Sequence, residues 1–236
     1  MPREKIDPRD SGSPGDAMCW SATADLVAGT GIAAIGVACV VRLRRARDLP
    51  LAALPLLLGA HQIVESVIWR SDGGSGPATV VWAAIALPLL ALWVPLGVAC
   101  AVPLHTRRWL LVPLVAGAAT ATVLAYCLAV RPVRAEVRGH TLGYAVDVPL
   151  PGLVVAGYLL ATVGSLLLAG DRRLTLLGVL TGAGAVICVA VWRAEFISTW
   201  CAVAAVCSVV LFGWAGRRPL PAPGGASPSS VDRTGT

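Results

Sequence analysis

Seven stretches of this chain are long, apolar and almost without charge, and arginine clusters mark every second gap between them. The hydrocarbon core of a bilayer is about 30 Å thick, so a helix of about 20 apolar residues crosses it. The runs cover approximately 20–41, 49–69, 78–102, 109–130, 149–169, 174–192 and 196–215. No Asp, Glu, Lys or Arg occurs over 73–106, 109–130, 148–170, 174–192 or 196–216. The first two runs hold one acid each, Asp25 and Glu65. The expected fold is therefore an all-α integral membrane bundle of seven transmembrane helices, a multi-pass protein of the cell membrane.

The gaps are short, the longest being 131–148. They leave no room for a soluble catalytic domain, so any chemistry must occur inside the bundle or at its rim. Residues 18–216 read as one membrane domain. Only 14% of the residues are charged, against about 25% in a soluble domain. The net charge of +6 does not indicate a nucleic-acid partner, because the basic residues fall in membrane-flanking gaps, where topology accounts for them. The one partner expected from composition is the lipid bilayer. Lys5 is the lone lysine, and the arginine excess fits a GC-rich genome better than phosphate binding.

The gap arginines orient the bundle. Arg42, Arg44, Arg45, Arg47, Arg107, Arg108, Arg172, Arg173, Arg217 and Arg218 fall on one side, and Arg70, Arg131, Arg134, Arg138 and Arg193 on the other. Positively charged flanks stay in the cytoplasm, so the N-terminus is expected outside and the C-terminus inside. Residues 1–17 lack periodicity and are rich in Asp, Gly, Ser and Pro. They read as disordered or as a mis-annotated extension before a natural start at Met18. A signal peptide fits poorly, since no small-x-small cleavage site precedes the 42–47 cluster. Residues 217–236, rich in Pro, Gly and Ser, read as a disordered cytoplasmic tail.

Prolines 50, 55, 88, 95 and 103 predict kinks in or beside the second and third helices. Gly182, Ala183, Gly184 and Ala185 predict close helix approach in the sixth. In the outer gap, Leu142, Tyr144, Val146 and Val148 alternate with Gly143, Ala145 and Asp147. That period of two predicts a short hairpin turning near Gly139 and His140, placed to lid the outer mouth. Trp20, Trp69, Trp109, Trp192 and Trp214 close the runs and read as interfacial anchors. Trp82, Trp93 and Trp200 read as packing residues.

Ionisable groups inside a membrane are costly and point to function. Asp25 lies five residues inside Trp20, roughly 7–8 Å at 1.5 Å per residue. Glu65 lies four residues inside Trp69, and His61 shares its face at the i,i+4 spacing, with Gln62 on the adjacent stripe. Glu195 opens the last helix, followed by Ser198 and Thr199. With Ser21, Tyr144, His140 and Asp147 from the outer side and Arg193 as an ion-pair partner, these groups form a candidate ligand-binding or polar network in the outer half of the membrane. The plainest alternative is that they hydrogen-bond between helices and fix register.

A metal reading rests on His61, Glu65 and His140, with zinc as the cofactor, since zinc accepts imidazole and carboxylate ligands. A single HxxxE carries little specificity. Intramembrane hydrolases of the alkaline ceramidase type carry an HxxxH pair, whereas this chain is expected to hold only His61 within a helix. Seven cysteines occur without a CxxC, so zinc-ribbon and thioredoxin-like readings have no support. Cys19 reads either as an N-terminal nucleophile exposed by trimming of Met18 or as a packing residue that can pair with Cys201.

The stretch Met18-Cys19-Trp20-Ser21-Ala22-Thr23-Ala24 resembles the opening of a family of uncharacterised actinobacterial multi-helix membrane proteins, a domain of unknown function, whose chains begin Met-Cys-Phe-Ser-Ala. Ala60-His61-Gln62-Ile63-Val64-Glu65 resembles that family's His-Gln-x-x-Glu element. His140, Tyr144 and the stretch Glu195-Phe196-Ile197-Ser198-Thr199-Trp200-Cys201 are similar too. The resemblance spans nearly all of 18–215 and departs at Trp20 and in 1–17. It implies a multi-helix membrane protein and no particular reaction. The role expected from the residues is binding or passage of a small ligand or ion at an outward-facing polar pocket. A membrane-embedded hydrolase, zinc-dependent or not, and a structural subunit of a membrane complex stay open. Oligomeric state is not legible in the chain.

Overall fold

The computed structural model describes residues 22–138, 141–190 and 196–216. Within them the chain forms seven helical segments and one hairpin. The helices are α1 (Ala22–Val41), α2 (Ala46–Arg70), α3 (Pro77–Ala101), α4 (Leu104–Val130), α5 (Pro151–Leu167), α6 (Arg172–Ala190) and α7 (Phe196–Ala215). Between α4 and α5 lie β1 (Arg134–Arg138) and β2 (Thr141–Ala145). Four helices, α1 to α4, are long and apolar enough to cross a membrane. Val27, Val37, Leu111, Val112, Val115, Leu153 and Val209 all point outward and are exposed. A water-soluble protein seldom leaves so much apolar surface open; against lipid the same surface carries no penalty.

Sequential helices pack side by side, and α7 returns to α1. The most extensive pairing is α1 with α2. The cause is a stripe of small residues. On α1 the buried positions are Asp25, Gly29, Ile32, Gly36 and Cys39, at alternating steps of four and three. A Cβ placed on Gly29 would lie 2.9 Å from the Gly59 carbonyl oxygen and 2.9 Å from the Gln62 Cβ. A Cβ on Gly59 would lie 2.6 Å from the Ala33 amide nitrogen. Glycine lets the two backbones touch, which is how helices associate where no hydrophobic effect drives them together. Continuing this antiparallel register one turn toward the start of α1 brings Asp25 level with Glu65 and Ser66.

Pro95 and Pro113 lie inside helical segments, and the other prolines of the second to fourth helices fall at helix starts or in a π turn. Pro50 and Pro55 sit in the first turns of the two α-helical parts of α2, Leu49–Ala52 and Leu54–Arg70, which break at Ala53. Pro88 falls in a π turn, Ile85–Leu89, inside α3. Here the Tyr158 hydroxyl donates to the Ala86 carbonyl at 2.7 Å, satisfying backbone loosened by the π turn. Pro103 precedes the first residue of α4. A second π turn, Leu160–Gly164, interrupts α5. In α6, Gly184 admits Val203 of α7, whose Cγ2 would lie 2.8 Å from an added Cβ. This is the close approach expected from the small residues there.

The main apolar core lies toward the end that carries the α1–α2, α3–α4 and α5–α6 connections, with Leu51, Val98, Leu110, Leu174, Leu211 and Trp214 fully or almost fully buried. Trp214 corrects the sequence reading: it is not an interfacial anchor, but a core residue with 0% exposure. Trp109, by contrast, is exposed at the start of α4 as expected of an anchor. Helix α4 also begins earlier than its apolar run, at Leu104, so His105 is helical. His61 is therefore not the one helical histidine, although His105 lines the opposite end of the bundle.

The hairpin forms where the period of two predicts it. β1 and β2 pair antiparallel, with Ala135 opposite Tyr144 and Val137 opposite Leu142. The turn residues Gly139 and His140 lie outside the described residues. Leu142 is buried and Tyr144, Val146 and Val148 are half-buried, while Ala145 and Asp147 are exposed. Arg131 clamps the far end, its guanidinium 2.6 Å from the Asp147 carboxylate and also bonded to the Asp147 carbonyl. The hairpin is tied to the α2–α3 turn by a two-bond bridge between Gly74 and Ala135, at 2.7 and 3.0 Å. Gly73 (φ 81°) and Gly74 (φ 96°) take left-handed conformations that glycine alone adopts at little cost. A second, smaller apolar cluster seals the hairpin to the bundle: Ile68, Ala135 and Leu142, with Val64, Trp69, Ala78, Trp82 and Tyr144 around them.

Candidate functional site

Beneath the hairpin lies a buried polar cluster drawn from four elements. Asp25 of α1 has 0% exposure and Glu65 of α2 has 4%. His61, Gln62 and Ser66 of α2 are buried beside them. The i,i+4 spacing of His61 and Glu65 and the i+3 step from Gln62 turn all three toward α1, α3 and the hairpin rather than toward the outer surface. The small-residue crossing of α1 and α2 then delivers Asp25, whose charge acts on the Glu65 carboxyl.

The hairpin contributes Tyr144. Its hydroxyl donates to Glu65 Oε1 at 3.2 Å, and its ring stacks on the Trp82 indole with centroids 3.5 Å apart and planes 7° from parallel. The Trp82 indole also meets the His61 imidazole, centroid to centroid 4.8 Å and tilted by 36°. Trp82 of α3 thus touches the rings of both Tyr144 from β2 and His61 from α2. Burial, then the negative charge of Glu65, pushes the Tyr144 hydroxyl well above the usual tyrosine range. It therefore remains protonated at physiological pH and acts as a hydrogen-bond donor to the carboxyl.

Among the described residues, His61 Nε2 is buried and has no hydrogen-bond partner. The Trp82 Nε1 is also buried without a partner at good geometry, though the indole interacts with the Glu65 carboxyl. A buried polar atom left unpaired costs about 1–3 kcal/mol, so such atoms need an explanation. Two carboxyl groups, an imidazole nitrogen and a phenol in one apolar setting can hold a small cation or take up and release a proton. Among the described residues no arginine or lysine forms an ion pair with the Glu65 carboxylate.

Of the residues picked from the sequence, the fold brings Asp25, His61, Gln62, Glu65 and Tyr144 together. Ser21, His140, Arg193 and Glu195 lie outside the described residues, and so does the side chain of Ser198, whose backbone lies in α7. Among the described residues no three His, Cys, Asp or Glu side chains are grouped to hold a metal ion. His61 and Glu65 thus have no third described ligand, and His140, which completes the zinc reading, lies outside. Trp82 packs in the apolar cluster as its position predicts, but nothing in its spacing shows that it also touches the polar rings of His61 and Tyr144.

Tyr144→Phe is expected to keep the stack on Trp82 and delete the bond to Glu65. A loss of about 1 kcal/mol in stability follows, measurable as a lowered melting temperature in detergent. An unchanged melting temperature would mean that the hydroxyl adds nothing to the cluster.

Four of the described helices are long and apolar enough to cross a membrane, as in an integral membrane protein, and a carboxyl-rich polar cluster is buried at one end of the bundle. More narrowly, the chain belongs to a family of unknown function, DUF6629, whose model matches residues 18–226. No curated protein and no solved structure matches it.

Proposed function

We propose that this protein crosses the cell membrane seven times, with its N-terminus outside and its C-terminus in the cytoplasm, and binds or passes a small ligand or ion at the cluster under the hairpin. The chemistry of the cluster favours a proton or a small cation. The observation that carries this reading is the burial of Asp25 and Glu65 within electrostatic reach of each other, beside an imidazole nitrogen with no described partner. Two acids in one low-dielectric site resist joint ionisation, so a proton shared between them or a cation placed on them relieves the repulsion. A purely structural cluster is better served by neutral hydrogen-bonding residues, which fix register without that repulsion.

Two experiments test the reading. Reporter fusions at Gly139 and at Asp171 are expected to give opposite signals, external for the first and cytoplasmic for the second, as the arginine asymmetry requires. The reverse pattern turns the cluster toward the cytoplasm and defeats the outward-facing arrangement. Purified protein in liposomes is then loaded with a pH-sensitive dye and challenged with a proton gradient, or with a sodium or potassium gradient. Flux above protein-free liposomes, or a melting temperature that rises with one of these cations, is the expected result. The absence of both would remove ion handling and leave the structural role.

A further inference from the structure

At the opposite end of the bundle the α1–α2, α3–α4 and α5–α6 connections and the end of α7 surround a cavity of about 420 Å³. Arg44, Arg45 and Arg47 line it, with His105 and Thr106 at the start of α4. Two acids also line it, and both are engaged. Asp171 Oδ1 accepts the backbone N–H groups of Arg173 and Leu174, at 3.0 and 3.3 Å, and so caps α6. The Asp48 carboxylate lies 3.9 Å from Arg47 Nε. Among the described residues neither Arg44 nor Arg45 has an ion-pair partner.

The start of α4 has no side-chain cap, so its first amides present partial positive charge toward this end. Guanidinium forks match the oxygens of a phosphate in a bidentate way. The rim is of the kind that sits at headgroup level: Trp109 is exposed beside it and carries the Arg108 guanidinium over its ring at 5.2 Å. We propose that this cavity binds a phosphate anion, presented by an anionic phospholipid headgroup or as free phosphate, with Arg44 and Arg45 as its principal ligands. Basic pockets between helices on the cytoplasmic side serve headgroups in this way.

The test uses the full chain in neutral detergent. Retention of phosphatidylglycerol against phosphatidylcholine is read by native mass spectrometry, and the melting temperature is read in inorganic phosphate against chloride at equal ionic strength. Wild type is expected to retain phosphatidylglycerol at least about tenfold better, or to melt several degrees higher in phosphate. The first result assigns the headgroup and the second the free anion, and either upholds the site. Arg44→Gln/Arg45→Gln is expected to lose the effect about tenfold, while Arg108→Gln, on the same rim but outside the cavity, keeps it. Should the double variant not fold, Arg44→Gln alone carries the comparison, because its side chain is exposed. The proposal is overturned if wild type responds to neither ligand, or if Arg108→Gln loses as much as the Arg44 and Arg45 variants, which would mark a diffuse charge effect.

Discussion

Glu65→Gln protein is expected to insert, fold and melt much like wild type, and to lose cation or proton handling altogether. Glutamine keeps the shape of the side chain and still accepts the Tyr144 hydroxyl, which approaches Oε1 at 3.2 Å. It removes the titratable charge and with it the repulsion from Asp25. Asp25→Asn is expected to act in the same direction, because the reading depends on the pair rather than on either acid alone. Glu65→Leu differs in kind. It leaves the Tyr144 hydroxyl without its acceptor and removes a polar neighbour from His61 and Gln62, both buried. A polar group so orphaned costs about 1–3 kcal/mol, and a lowered yield of folded protein is expected. The readings are proteoliposome flux or cation-dependent melting for function, and size-exclusion profile for folding. A Glu65→Leu protein that folds and performs as wild type would show that the cluster is not a site.

Gly59→Val is expected to be among the most damaging single changes in the bundle. Any Cβ at this position meets backbone, 2.6 Å from the Ala33 nitrogen and 2.7 Å from the Gly29 carbonyl oxygen. Backbone within a helix cannot rotate aside as a side-chain end can, so α1 and α2 must separate. Overpacking of this kind costs about 1–3 kcal/mol and sometimes more, and the upper end is expected because valine adds two further methyl groups. The damage also reaches the site, since parting the helices withdraws Asp25 from Glu65. Gly31→Ala is the matching control: nothing lies within 4 Å of its added Cβ, and a helical Gly→Ala change stabilises by roughly 0.5–1 kcal/mol. Melting temperatures of the two variants in one detergent check the pair. Equal stability of Gly59→Val and wild type would mean that the α1–α2 contact is looser than described.

Much of the site was legible along the chain because it is local. His61 and Glu65 share a face by helical spacing alone, and Leu142 and Tyr144 share one by strand spacing. Burial of charged or polar groups within apolar runs singled out Asp25 and Gln62 for the same reason. Trp82 and Trp214 show where that reasoning ends. Both are tryptophans in apolar helices, and the sequence placed one in packing and the other at an interface. Trp82 does pack but also touches the rings of His61 and Tyr144, and Trp214 is wholly buried.

The sequence by itself determined the helical segments, their approximate ends, the hairpin and the uneven distribution of arginine. Those follow from run length, residue period and local charge, each readable within about 20 residues. Only the tertiary structure decided that Asp25 comes within electrostatic reach of Glu65, that Trp82 touches both His61 and Tyr144, that Gly74 bridges to Ala135, and that four distant segments close the arginine-lined cavity. The physical reason is that a helix meant for lipid is apolar on all sides. Lipid and protein core are equally apolar neighbours, so hydrophobicity does not mark which face turns inward. That choice is made by shape, through glycines at 29, 36 and 59 that admit another backbone, and shape complementarity exists only between segments already brought together.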